Sequence, residues 1–170
     1  MLNHTNKTTV IMIMMVVLFV LMTTVPINTV AMLHIKDISC RLPDVFSLKW
    51  RHSVERQYWQ EVYQLHYPNI ALNKTYLQTF GAGTPSLGST VDAPDGYVGQ
   101  AVHLTLKELN WLVSANMQGE IILGDGIDDA QTWAVYQLIE QPSEVRILPQ
   151  KLTFWQNQSI PTCQSLITSP

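Results

Sequence analysis

The sequence predicts a mainly β domain, a small antiparallel sandwich or partly open barrel with one short helix, preceded by a single N-terminal transmembrane or signal helix. Three observations predict it. Short runs of aromatic and β-branched residues alternate with polar ones, the period of a half-buried strand. The links between these runs suit antiparallel pairing, and only one segment has helical spacing. An uncharged apolar block precedes them all.

That block lies between Lys7 and Lys36, with no Asp, Glu, Lys or Arg inside it. Residues 10–22 are Val, Ile, Met, Leu and Phe throughout. Residues 8–27 have about the length of 20 residues that spans a hydrocarbon core as a helix. The strictly apolar part is shorter, nearer the core of a secretory signal, and Thr29-Val30-Ala31 offers small residues for cleavage. An uncleaved anchor and a cleaved signal are both readings of this block. A buried core helix fits poorly, because no polar face is present. Lys7 and the terminal amine before the block, against Lys36 and Arg41 after it, give only a slight positive-inside bias. Both readings place the rest of the chain outside the cytoplasm. It is expected to be single-pass at the cell membrane, or secreted or periplasmic after cleavage. The expected division is residues 1–32 as anchor or signal, 33–155 as the β-rich domain and 156–170 as a loose polar tail.

The strands follow in order. Residues 33–38 make a first strand with a poor pattern. Val45 to Arg51 alternates cleanly, with Phe46, Leu48 and Trp50 on one side and Ser47, Lys49 and Arg51 on the other. Residues 58–67 put Trp59, Tyr63, Leu65 and Tyr67 on one parity, with Glu61 as the exception. Pro68-Asn69 turns the chain. Residues 70–80 return, with Lys74 and Gln78 interrupting the apolar stripe; either these two lie beyond the covered part of the sheet or a bulge shifts the register. Residues 81–96 form a long irregular stretch. Strands are expected at 97–106, 109–113 and 120–123, with a turn at 116–119. Ala130, Trp133, Ala134, Leu138 and Ile139 have helical spacing, with Asp128 or Asp129 as cap and Pro142 as the end. Val135, Tyr136 and Ile139 support a competing strand. Late strands are expected at 145–148 and 152–155.

Composition narrows the function classes. Charged residues are only 14% and the net charge is -3. Without a Lys/Arg stripe to neutralise phosphates, nucleic acid is not an expected partner. Cys40 and Cys163 are the only cysteines. In an oxidising compartment they are candidates for a disulfide tying the start of the domain to its tail.

The block from Trp50 to Pro85 carries the candidate binding edge. It opens with Trp50-Arg51-His52-Ser53-Val54-Glu55 and closes with Phe80-Gly81-Ala82-Gly83-Thr84-Pro85. A strand out and a strand back return the chain to the end it left. Arg51, His52, Ser53 and Glu55 are therefore expected beside Phe80, Gly81, Gly83 and Pro85. His52 as base and Ser53 as nucleophile would make a hydrolase, but neighbours on a strand point to opposite faces. No catalytic residue is assigned. The glycines lack the third glycine and following helix of a dinucleotide site. Their plainer role is chain reversal, with backbone N–H groups open to an anion. The acidic loop 124–129 fails the calcium register, because Ala130 and Tyr136 stand where Gly and Glu belong. His34, His52, His66 and His103 lack zinc spacing. No metal or cofactor is expected.

The His-Ser-Val-Glu and Phe-Gly-Ala-Gly-x-Pro pair, at this separation, resembles the prokaryotic domain-of-unknown-function family eighteen-fifty. Asp95-Gly96 before Tyr97-Val98 is similar to the family's pattern. So is Tyr136-Gln137-Leu138 leading through Pro142 to Val145-Arg146-Ile147. Thr84 departs from the aliphatic residue common before the proline, and the tail after Leu152 is longer than the family's. The resemblance implies a small exported or membrane-anchored protein encoded beside TAXI-class TRAP transporters, which take up organic acids through a periplasmic binding protein. The implied partners are a transporter component or another envelope protein. The expectation is thus a non-enzymatic accessory protein. The alternative is a module binding a small carboxylate or anion through Arg51, His52 and the glycine-loop amides.

Overall fold

The computed structural model describes residues 4–79, 88–125 and 131–168. The chain divides into two compact units, Met1–Thr29 with Lys151–Ile160 and Val30–Gln150 with Pro161–Pro170. In order, the elements are α1 (His4–Thr24), β1 (Pro26–Ile35), β2 (Ile38–Leu42), β3 (Val45–Arg51), β4 (Tyr58–His66) and β5 (Asn69–Leu77). There follow β6 (Thr90–Val91), β7 (Val98–Leu106), β8 (Leu109–Val113), β9 (Glu120–Leu123), β10 (Gln131–Trp133), β11 (Ser143–Thr153), α2 (Phe154–Ser159) and α3 (Cys163–Thr168). The protein is mainly β, as expected.

In the first unit, the 21 residues of α1 make a helix about 31 Å long, close to the hydrocarbon thickness of a bilayer. Its stretch Lys7–Thr24 is long and apolar enough to cross a membrane. The side chains from Val10 to Leu21 are exposed on every face, so nothing among the described residues buries them. The short helix α2 lies against α1.

The second unit is built on two antiparallel sheets. One has the strand order β2-β1-β11-β8, the other β10-β9-β3-β4-β5-β7-β6. Ala31, Leu33, Ile35, Leu42, Val145 and Ile147 from the first sheet share one buried cluster with Phe46, Leu48, Ile70, Leu72 and Ile121 from the second. Apolar faces of two sheets meeting in one core define a sandwich rather than a closed barrel. Phe46 stacks on Tyr63 at its centre, centroids 5.6 Å apart.

Alternation placed β3 with the bounds expected, and β8 and β9 likewise. At the expected interruption, the register of β5 shifts between Leu72 and Lys74, so a bulge carries the buried stripe across that point. Glu61, the polar exception on β4, accepts a hydrogen bond from the Tyr63 hydroxyl at 2.5 Å. Burial holds its carboxyl above the usual carboxylate range, while that hydrogen bond acts in the opposite direction.

Three local expectations are corrected. The strand at 33–38 is a hairpin instead. Lys36 takes a positive φ of 50° and the chain returns as β2, with Leu33 opposite Cys40. The helix over 130–139 does not form among the described residues. Gln131–Trp133 pairs with Leu123–Ile121 of β9, and Val135–Leu138 makes only a 3-10 turn. A sheet edge with an unpaired ladder outbids helical spacing there; the proposed caps Asp128 and Asp129 lie outside the described residues. Nor is 152–155 a separate strand: β11 runs unbroken to Thr153, and α2 begins at Phe154.

The tail is helical where a loose segment was expected. Cys163, at the start of α3, is bonded to Cys40 on β2, with Cα atoms 5.0 Å apart and 123 residues between them in sequence. Both cysteines are fully buried. The Arg41 N–H donates to the Pro161 carbonyl at 2.9 Å, and Arg41 bridges Thr162 in parallel fashion. The tail thus occupies part of the outer edge of β2, which would otherwise present unpaired backbone groups.

Candidate functional site

Arg51 is the last residue of β3, and the turn that follows brings the chain back into β4. The His52 N–H donates to the Gln57 carbonyl at 2.8 Å, and the Arg56 N–H to the His52 carbonyl at 2.9 Å. Arg56 takes the left-handed conformation, φ 57°, to complete the reversal. The Arg51 Nε then donates to the Arg56 carbonyl at 3.2 Å, fixing one guanidinium over the turn.

A second segment closes the other side. Because β3 pairs with β9 as well as β4, with Lys49 opposite Glu120, the link between β8 and β9 lies next to the turn 52–57. That link is a 3-10 turn, Ala115–Met117, ending on Gln118 with φ 48°. The Tyr58 hydroxyl donates to Gln118 Oε1 at 2.7 Å, which ties the two segments together. Between them is a cleft of about 360 Å³ lined by Arg51, His52, Ser53, Arg56, Ser114, Asn116 and Met117.

Aromatic packing holds the arrangement. Trp50 meets Trp59 at 6.1 Å and Trp111 at 6.2 Å between ring centroids. His52 lies flat on Trp59, 4.5 Å away with planes 14° apart. Gly119 permits this close approach: a Cβ there would stand 2.8 Å from the Trp111 ring and 2.9 Å from Val113. On the opposite face of β3, Lys49 pairs with Glu120 at 3.4 Å.

The cleft gathers two guanidiniums and several neutral polar groups. Two guanidiniums supply fixed positive charge and forked N–H donors suited to a carboxylate. Ser53, Ser114 and Asn116 add neutral polar groups. The Glu55 N–H points to His52 Nδ1 at 3.4 Å, which assigns the neutral imidazole its proton on Nε2. Glu55 belongs to the turn but does not line the cleft. Its Oε2 is buried without a hydrogen-bond partner among the described residues. Residues 51–56 carry a formal charge of +1 with Arg51, Glu55 and Arg56 counted and His52 neutral.

The structure therefore brings Arg51, His52 and Ser53 into one cleft and sets Glu55 beside it. The return of the second strand is visible up to Thr79. Leu77 stands opposite Trp59, and the Tyr58 N–H donates to Gln78 Oε1 at 2.8 Å. Thr79 Oγ1 donates to Gln57 Oε1. Phe80, Gly81, Gly83 and Pro85 lie outside the described residues. Ser53 and His52 share no hydrogen bond among the described residues, and His52 Nδ1 is turned to the Glu55 amide. The same residues hold no cluster of three or more His, Cys, Asp or Glu arranged for a metal. Asn116 and Met117 were read from the sequence only as part of a turn at 116–119, and Ser114 was not singled out; their role depends on β3–β9 pairing, which leaves no local signature.

Fold and site define a class: a two-sheet β domain, following a helix apolar enough to cross a membrane, with a small basic cleft at the end of its central hairpin. Residues 46–128 match the family described as Domain of unknown function (DUF1850), the family that the paired motifs resemble. No curated protein and no solved structure matches the chain.

Proposed function

We propose that this protein is a non-enzymatic accessory module, held at the membrane by α1 with its β domain outside the cytoplasm, and that its cleft receives a carboxylate. The observation that carries this reading is the meeting of Arg51, Arg56 and His52 in one cleft of about 360 Å³. That volume is near the lower end of pockets for small molecules. It suits a short organic acid, or a single acidic side chain of a protein partner.

Two further features support the location. The Cys40–Cys163 bond belongs to an oxidising compartment. Strand β1 begins at Pro26, directly after α1, so the chain passes from the apolar helix straight into the sheet. The family resemblance supports an organic-acid transporter of the TRAP type as the machine it assists. Chemical cross-linking in native membranes, followed by capture of this chain, tests that assignment. The expected result is recovery of a transporter component or its binding protein, with cross-links near residues 51–56. Recovery of the chain alone counts against an accessory role.

A further inference from the structure

We infer that α2 is a membrane-interface clamp: Trp155, with Phe154 behind it, sits at the headgroup level of the bilayer that α1 enters. This rests on reading α1 as a retained anchor. The two helices belong to the same compact unit, and α2 lies against α1. The end of α1 that α2 meets is identified by a side-chain bond. Asn28, just past the helix, donates through Nδ2 to Asn157 Oδ1 of α2 at 3.0 Å. The membrane-spanning helix stops at Thr24, so this is where the hydrocarbon core gives way to headgroups.

The side chains at that level are those an interface takes. Trp155 is 46% exposed although it is among the largest apolar residues of the chain. Val25 and Ile27, between α1 and Asn28, are 44% and 57% exposed. Together they continue the apolar surface of α1 past its end. Phe154 meets Trp155 edge-on, centroids 5.2 Å apart, and sets its ring. An indole with an apolar body and an N–H tip is favoured where one end is dry and the other wet. The remaining residues of α2 are Gln156, Asn157, Gln158 and Ser159, polar and uncharged, so nothing in the helix repels an anionic lipid. Its six residues extend about 9 Å, close to the roughly 5–8 Å of polar layer on each side of a bilayer. Thr153 N–H donates to Gln156 Oε1 at 2.9 Å, so the helix is capped before any lipid contact. The clamp gives the folded domain a second attachment beside its anchor.

The test uses the full chain in phosphatidylcholine vesicles brominated high on the acyl chain, with tryptophan emission as readout. Trp155→Phe keeps an aromatic ring against Phe154 and removes the indole. The wild type is expected to be quenched, Trp155→Phe to lose at least half of the quenched emission, and Trp111→Phe to lose none of it. Equal quenching of wild type and Trp155→Phe, in vesicles that keep the chain through an alkaline wash, overturns the clamp and leaves the anchor standing. Release of the chain by the alkaline wash overturns both.

Discussion

Cys163→Ser is expected to lower the unfolding free energy by about 4 kcal/mol, because the lost bond closes a very long loop. The two cysteines are 123 residues apart in sequence, so the oxidised unfolded chain is confined over most of the second unit. The replacement also leaves a hydroxyl where a fully buried sulfur stood. Against a total of roughly 5–15 kcal/mol for a domain, the loss is large. In a chain of this size it corresponds to a fall of about 10–15 °C in the melting temperature. Denaturant titration of the two proteins, with and without reductant, checks it. Wild type with reductant should approach the variant, and the variant should ignore reductant. An unchanged midpoint would mean that α3 and the bond only decorate the edge of β2.

Removing residues 1–31 is expected to abolish cooperative folding of the β domain. Cleavage after Thr29-Val30-Ala31 would leave a chain beginning at Met32, inside β1 (Pro26–Ile35). That strand is internal, between β2 and β11. Ala31 opposite Leu42 would go, along with the buried Val30 and the preceding part of the strand. Burying one such aliphatic side chain contributes about 1.5–3 kcal/mol, and each lost ladder hydrogen bond costs about 1 kcal/mol. The sum is on the order of 5 kcal/mol, comparable with the whole stability of a small domain. The physical argument thus favours the retained anchor over the cleaved signal. Circular dichroism during thermal melting of the Met32 chain checks it, with a chain starting at Val25 as control. A sharp melt for the shorter chain, equal to the control, would restore the cleaved-signal reading.

How much was legible depended on which faces of a strand were covered. In β3, Phe46 and Leu48 enter the core while Lys49 faces Glu120, so alternation survives in the sequence and the bounds follow. In β1, the four residues Val30 to Leu33 are all buried. With both faces covered there is no alternation to read, and the turn at Lys36-Asp37 lacks the glycine that marks most hairpins. The segment 130–139 misled because Ala130, Trp133, Ala134, Leu138 and Ile139 have helical spacing, whereas buried Trp133 and Val135, two residues apart, do not share a helix face. What decided it was the unpaired edge of β9, a tertiary fact. The candidate site was half legible for the same reason. Arg51, His52 and Ser53 stand together in the chain, whereas Ser114, Asn116 and Met117 reach them only through sheet pairing.

Titration calorimetry of the full chain in detergent, against a panel of short mono- and dicarboxylic acids, tests the central claim most directly. The cleft predicts binding of at least one acid at millimolar concentration or below. Arg51→Gln and Arg56→Gln should each weaken it roughly 10- to 100-fold, the worth of one charge-assisted hydrogen bond, without lowering the melting temperature by more than a degree or two. No binding across the panel, or binding untouched by both substitutions, would contradict the account.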